Sequence, residues 1–132
     1  MARAEAIVPE FTRAHSATDF EAKLSGRVNL ALLAWDGDRI VGSKIGYALE
    51  PTVFYSWVGG VHPDYRGQGV AAELLHRQEA WCSEHGFQRV RVKSENRFRG
   101  MLIFLLKNGY EIRAVNGRGQ IEFEKTLLGQ MT

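Results

Sequence analysis

The sequence predicts an α/β domain built on a mixed sheet, mostly antiparallel, with one parallel pair of central strands and helices packed against it. Three observations carry that. Apolar runs with strand character alternate with segments of helical period along the chain. Two turn sequences, Asp36-Gly37-Asp38-Arg39 and Asn116-Gly117-Arg118-Gly119, each join two such runs as hairpins. Between them, the strand, helix and strand across 53–93 form a right-handed crossover, so those two strands are parallel.

Residues 1–15 are weakly patterned, with one helical turn before Pro9 as the most they suggest. Thr18-Asp19-Phe20-Glu21 matches a capping box and predicts a short helix ending near Gly26. Val28 to Trp35 and Ile40 to Leu49 are the first hairpin, and Pro51 breaks the chain before a strand over Val53–Val61. Gly59-Gly60 interrupts that apolar run, which predicts a bulge or a close backbone approach there. Pro63 ends the ladder because it has no N–H to donate.

From Gly69 the period is helical. Val70, Ala71, Leu74, Leu75, Gln78, Trp81 and Cys82 share one face, with Glu73, Arg77, Glu79 and Glu84 on the other. Gly86 is the natural stop. Arg89 to Lys93 alternates strictly and predicts a strand with one basic face. A second helix, about Arg97 to Asn108, is apolar through Met101-Leu102-Ile103-Phe104-Leu105-Leu106 and is expected to be well covered. Gly109 ends it, and Tyr110–Val115 and Gln120–Leu127 are the last two strands.

At 132 residues the chain reads as one domain, 1–132, large enough for a core. Seventeen basic against fifteen acidic residues is too even a balance to argue for nucleic-acid or membrane binding, so neither partner is expected. No apolar run has the length of a membrane span, and no signal-peptide pattern opens the chain. The one cysteine, Cys82, excludes an internal disulfide framework and fits a reducing cytoplasm, the expected location. No Cys/His cluster has zinc spacing, so no metal is expected; His62, His76 and His85 read as structural or solvated. Cys82 sits on the apolar helix face and reads as core rather than nucleophile. Trp35 and Trp57 also read as core aromatics.

The chemistry concentrates where the strand feeds a glycine loop and the loop opens a helix. A helix start offers unpaired N–H groups and the positive end of its dipole. Gly67 and Gly69 have no Cβ, so an anion can approach the backbone, and Arg66 adds a fork of donors suited to phosphate. The loop is either a phosphate or pyrophosphate cradle or a bare helix N-terminus reached by a tight turn. Gly67-Gln68-Gly69-Val70-Ala71-Ala72 also satisfies the dinucleotide fingerprint, with Glu95 where an acidic ribose partner would stand. That reading needs the first strand of a parallel sheet, whereas an antiparallel meander precedes this loop. Arg91, Lys93, Arg97 and Arg99 form a basic cluster that either steers an acidic ligand or is a solvated face.

With these residues the chain resembles the GNAT superfamily of acyl-CoA N-acyltransferases. The match lies in Arg66-Gly67-Gln68-Gly69-Val70-Ala71, preceded by Val61-His62-Pro63-Asp64-Tyr65, and in Asn96 followed by an apolar helix and Lys107-Asn108-Gly109-Tyr110. The resemblance covers about residues 28–127. It implies a sheet splayed around the parallel pair, with acetyl-CoA as cosubstrate. Backbone groups of Gly59, Gly60 and Val61 would pair with the pantetheine arm. The amides of Gly67, Gln68, Gly69, Val70, Ala71 and Ala72 would take the pyrophosphate with Arg66 in support, and Asn96 would bond the cofactor near the pantetheine. The implied reaction is direct attack of a primary amine, small-molecule or peptide, on the thioester in a ternary complex. The implied fold often pairs as a homodimer.

Departures from the family pattern bear on catalysis. Only about 27 residues precede the first clear strand, so a shortened N-terminal arm is expected, its strand either missing or left as a stub at Ala4–Val8. Tyr55 stands where some members carry a carboxylate base, which makes it either the catalytic candidate or an ordinary strand aromatic. Leu105 stands where many carry a tyrosine acid, and two extra residues separate Asn96 from Gly109. A non-catalytic acyl-CoA-binding module would keep the cradle and explain the missing acid and base.

Overall fold

The computed structural model describes residues 24–127. The expected helix from Thr18 and the strand stub at Ala4–Val8 lie outside them. The elements are β1 (Asn29–Asp36), β2 (Arg39–Glu50), β3 (Val53–Val61), a 3₁₀ turn (Pro63–Tyr65), α1 (Val70–Glu84), β4 (Arg89–Glu95), α2 (Arg99–Lys107), β5 (Glu111–Val115) and β6 (Gln120–Thr126). The six strands form one sheet in the order β1-β2-β3-β4-β6-β5. Every neighbouring pair is antiparallel except β3 and β4, which run parallel as the crossover requires. A doubly wound parallel sheet is absent from the described residues, and with it the setting that the dinucleotide fingerprint needs.

The β3–β4 pairing is short. It joins Val53–Ser56 to Arg89–Val92 and stops. Beyond it, Val58–Val61 continues against β2 while Lys93–Glu95 continues against β6. The two strands therefore part, leaving a wedge in the middle of the sheet.

The helices share the face of the sheet that carries Phe54, Val90 and Phe123, where Leu75 and Cys82 of α1 and Leu105 of α2 complete the main core. Burial pushes the Cys82 thiol up to about 12, which leaves it a protonated, inert core residue as expected. The opposite face holds a smaller cluster of Leu24, Ile45 and Tyr47, with Tyr55, Trp57 and Val58 packed against it.

Of the two expectations at Gly59-Gly60 the close approach holds, since a Cβ on Gly59 would stand 2.7 Å from the Ser43 carbonyl oxygen; the bulge in β3 is at Trp57, where the partner of β2 jumps from Val58 to Ser56. Four other expectations are corrected. The second helix is poorly covered: Leu105 is buried, but Met101, Ile103 and Leu106 are exposed, because its nine residues touch the core along one edge only. Glu79 turns inward rather than to solvent, accepting hydrogen bonds from Tyr110 Oη (2.8 Å) and Lys125 Nζ (3.0 Å), while Ala71 is exposed. Trp35 is half exposed, since β1 is an edge strand. The basic face of β4 is partly neutralised, because buried Arg91 bonds Glu124 through both Nε (3.1 Å) and Nη2 (2.8 Å).

Candidate functional site

Where β3 ends, the chain makes its 3₁₀ turn and enters α1 through two glycines in the left-handed region, Gly67 at φ 78° and Gly69 at φ 84°. Only glycine adopts such angles without strain. A Cβ at either position would meet nothing within 4 Å, so the space in front of the loop is open to a ligand. Gly69 is the N-cap of α1 and no side chain caps it. The first intrahelical bond is Glu73 N–H to the Gly69 carbonyl, at 3.0 Å, which leaves the amides of Val70, Ala71 and Ala72 ahead of the ladder. Unpaired N–H groups at the positive end of a helix dipole are suited to an anion.

The loop is braced. Arg66 Nε donates to the Val61 carbonyl at 3.0 Å. His62 accepts at Nδ1 from the Asp64 amide (3.2 Å), and its Nε2 meets Arg39 Nη2 at 2.8 Å. Tyr65 donates its hydroxyl to Asp36. The first hairpin turn is thus tied to the cradle, a role for Asp36, Arg39 and His62 that the sequence reading missed. The pattern held a faint signal of it in the charges that crowd that turn.

The wedge begins beside the cradle. Gly59, Gly60 and Val61 lie in the part of β3 that β4 no longer covers. Asn96 follows the C-terminal end of β4, across the wedge. It is exposed, its backbone N–H donates to the Gly119 carbonyl (2.8 Å), and a Cβ on Gly119 would stand 3.6 Å from its Nδ2. The β5–β6 turn thus fixes the backbone at Asn96.

On the face away from the helices, where β3 and β4 start to part, lies a cleft of about 190 Å³ lined by Tyr47, Leu49, Tyr55, Trp57, Arg91, Lys93 and Glu122. Tyr47 packs edge-on against both Tyr55 (5.4 Å between centroids) and Trp57 (5.9 Å). Burial, with help from Tyr47 and Glu122, pushes the Tyr55 hydroxyl up to about 12, so Tyr55 is a proton-bearing group near neutrality. Lys93 Nζ lies 5.9 Å from the Tyr55 ring centre, and Glu122 pairs with Arg113 at 3.0 Å. The structure therefore brings Tyr55, Arg91 and Lys93 together in this cleft. Arg97 instead pairs with Glu95 at 3.3 Å. Trp57 proves to be a cleft wall, turned there by its bulge.

Among the described residues no group of His, Cys, Asp and Glu is placed to hold a metal ion, and no helix is long and apolar enough to cross a membrane. The profile of the family described as "Acetyltransferase (GNAT) family" matches residues 3–110. An acetyltransferase of Sodalis glossinidius (strain morsitans) is 35% identical over 72 residues, which are 54% of this chain and 50% of that protein. The match thus spans about half the length of that curated relative. Among solved structures, the ribosomal-protein-S18-alanine N-acetyltransferase from Escherichia coli superposes with a TM-score of 0.78 at 14% identity, over 96% of this chain and 84% of that one. A GNAT family acetyltransferase from Elizabethkingia anophelis with acetyl-CoA bound gives 0.73 at 16%, over 85% and 84%.

Proposed function

The chain belongs to the GNAT acetyltransferase family, and from that premise we propose that it transfers an acetyl group from acetyl-CoA to a primary amine by direct attack in a ternary complex. The observation that carries this is the continuity of three features: the Gly67–Ala72 cradle, the wedge beside Gly59–Val61, and the Tyr55 cleft. Together they form a path from an anion site, along an unpaired strand edge, to a pocket large enough for a small amine or the end of a peptide.

Acetyl-CoA, when bound, supplies the acyl group as an activated thioester. The amides of Gly67 to Ala72 and Arg66 hold its pyrophosphate. Backbone groups of Gly59, Gly60 and Val61 bond the pantetheine amides like an added strand, and Asn96 closes that side. The cleft positions the acceptor, and proximity supplies much of the rate. Tyr55, protonated at neutral pH, donates a hydrogen bond rather than acting as base. The acceptor must arrive neutral or lose its proton to water. The single buried cysteine and the balanced charge fit a cytoplasmic enzyme.

One observation favours a second reading, a non-catalytic acyl-CoA-binding module: Leu105 is apolar and 1% exposed, and β3 offers no carboxylate at Tyr55. Calorimetry with acetyl-CoA, CoA and NAD, followed by an amine panel with thiol detection, separates the two. Acetyl-CoA binding with thiol release supports the transferase. Binding without release on any amine supports the module, and binding of NAD alone overturns both.

A further inference from the structure

Lys44 is a charged residue that the reading above leaves without a role. It lies on β2 directly opposite Gly59. A Cβ on Gly59 would stand 3.5 Å from Lys44 Cγ, so the lysine stem runs across a residue with no side chain to stop it. Gly59 belongs to the stretch of β3 that β4 does not cover, which puts the stem at the edge of the wedge, on the α1 side.

Gly42, two residues earlier on the same face, marks the register of the helix: a Cβ there would meet Val70 Cγ1 at 3.0 Å and Leu74 Cδ1 at 3.2 Å. From that point β2 and α1 both run opposite to β3. Two strand residues advance about 6.6 Å and one helical turn about 5.4 Å, so Gln78 arrives at the level of Lys44. Gln78 is completely buried, and neither its amide nitrogen nor its amide oxygen has a hydrogen-bond partner. Lys44 has no hydrogen-bond or ion-pair partner among the described residues either. Among the described residues the charge acting on Lys44 is Glu79, itself engaged by Tyr110 and Lys125. Two unsatisfied polar side chains at one level are costly unless a ligand meets them.

We propose that Lys44 is the acid that protonates the departing CoA thiolate, a role that rests on the acetyl-transfer reading above. The amine nitrogen forms its bond to the thioester carbonyl carbon and the C–S bond breaks, the sulfur taking the electron pair. The Lys44 ammonium gives that sulfur a proton and is recharged, through water, by the proton the new amide nitrogen sheds. This supplies the acid that Leu105 lacks. Burial lowers Lys44 to about 8, close to an ordinary thiol, so the transfer is nearly balanced. Part of the residue remains accessible, as befits a group that opens on a cleft.

The test does not need an acceptor. CoA is bound to the wild type, Lys44→Met and Lys44→Gln, each shown folded by its melting curve, and the bound thiol is titrated by thiolate ultraviolet absorbance. An ammonium close to the sulfur should hold the wild-type midpoint about 1 unit or more below both variants. In turnover, both variants should lose about 10²-fold in kcat with acetyl-CoA affinity kept, and lose less on a thioester of a more acidic thiol. Equal thiol midpoints overturn the role of Lys44 while leaving the cofactor reading intact. Absence of CoA binding by the wild type overturns both. Acetylation of Lys44 itself, seen by intact mass, also overturns the proposal, since the amine would then be an acceptor.

Discussion

The Tyr110 hydroxyl donates a 2.8 Å hydrogen bond to Glu79 Oε2, joining the third residue after α2 to the middle of α1. Burial and the adjoining carboxylate raise the Tyr110 hydroxyl far above its ordinary range, so it stays a donor at every accessible pH. Lys125 Nζ completes the site at 3.0 Å from Glu79 Oε1. Glu79→Ala should cost about 2–3 kcal/mol, because it leaves a buried hydroxyl and a partly buried ammonium without their acceptor. Thermal melting would read this as a drop of roughly 5–10 °C, and Glu79→Gln should recover part of it through the Tyr110 bond.

Gly69→Ala should weaken CoA binding at least tenfold, since the new Cβ stands where an anion must approach. The left-handed φ of 84° adds a stability cost of about 1–2 kcal/mol. Calorimetry and melting on one sample separate the effects, and Gly69→Val should abolish binding while unfolding stays cooperative. Undiminished affinity in a folded variant would sink the cradle.

Asn96→Ala should raise the KM for acetyl-CoA more than it lowers kcat, because the role proposed for its side chain is to position the cofactor rather than to react. A loss confined to kcat would assign it to the chemistry.

Tyr55→Phe should slow turnover by roughly tenfold, the low end for a single proton-handling group, without changing cofactor affinity. An acceptor amine like lysine is mostly protonated at neutral pH, so kcat/KM rises with pH as its neutral fraction grows and levels off above about pH 8, where the Lys44 acid loses its proton. Tyr55, held near 12, does not titrate in that range, so wild type and variant should share the rising limb. A loss of three or more orders of magnitude would make Tyr55 essential.

Lys44→Met should stabilise the free protein. The unfolded lysine titrates at 10.5 and the folded one at about 8, so the unfolded chain binds more protons between those values and stability rises with pH there. The penalty is complete below about pH 8, where it amounts to at most roughly 3 kcal/mol, and it disappears above about 10.5. Denaturant melts at neutral and alkaline pH should show the gain from Lys44→Met shrinking across that window. A pH-independent difference would mean that Lys44 is not held as an unfavourable charge.

Much of this was legible in the sequence because it is local. The turn at Asp36–Arg39, the strand over Val53–Val61, the positive-φ glycines Gly67 and Gly69 and the stop at Gly86 each follow from a few adjacent residues. The misses are relational. Whether Trp57 or Gly59 bulges depends on how β2 registers, and Glu79 turns inward only because Tyr110 and Lys125 arrive from far along the chain. The exposed face of α2 shows that hydrophobicity alone does not supply a covering layer. Lys44 did leave a signal, a charge at an inward position of a strand buried on both faces, but its register with Gly59 emerges only from pairing.

The short parallel pairing also bears on how freely this chain can drift. On the binding mode proposed above, an extended ligand in the wedge would be met by main-chain groups, which every residue type but proline carries alike. At Val58, Gln68, Val70 and Ala72 the side chain is then a spectator to that contact. Strict demands fall on Gly59, whose missing Cβ spares the Ser43 carbonyl, and on Gly67 and Gly69, whose φ values admit little else. A saturation library scored on CoA retention should be broadly permissive along this stretch, with three narrow columns at those glycines.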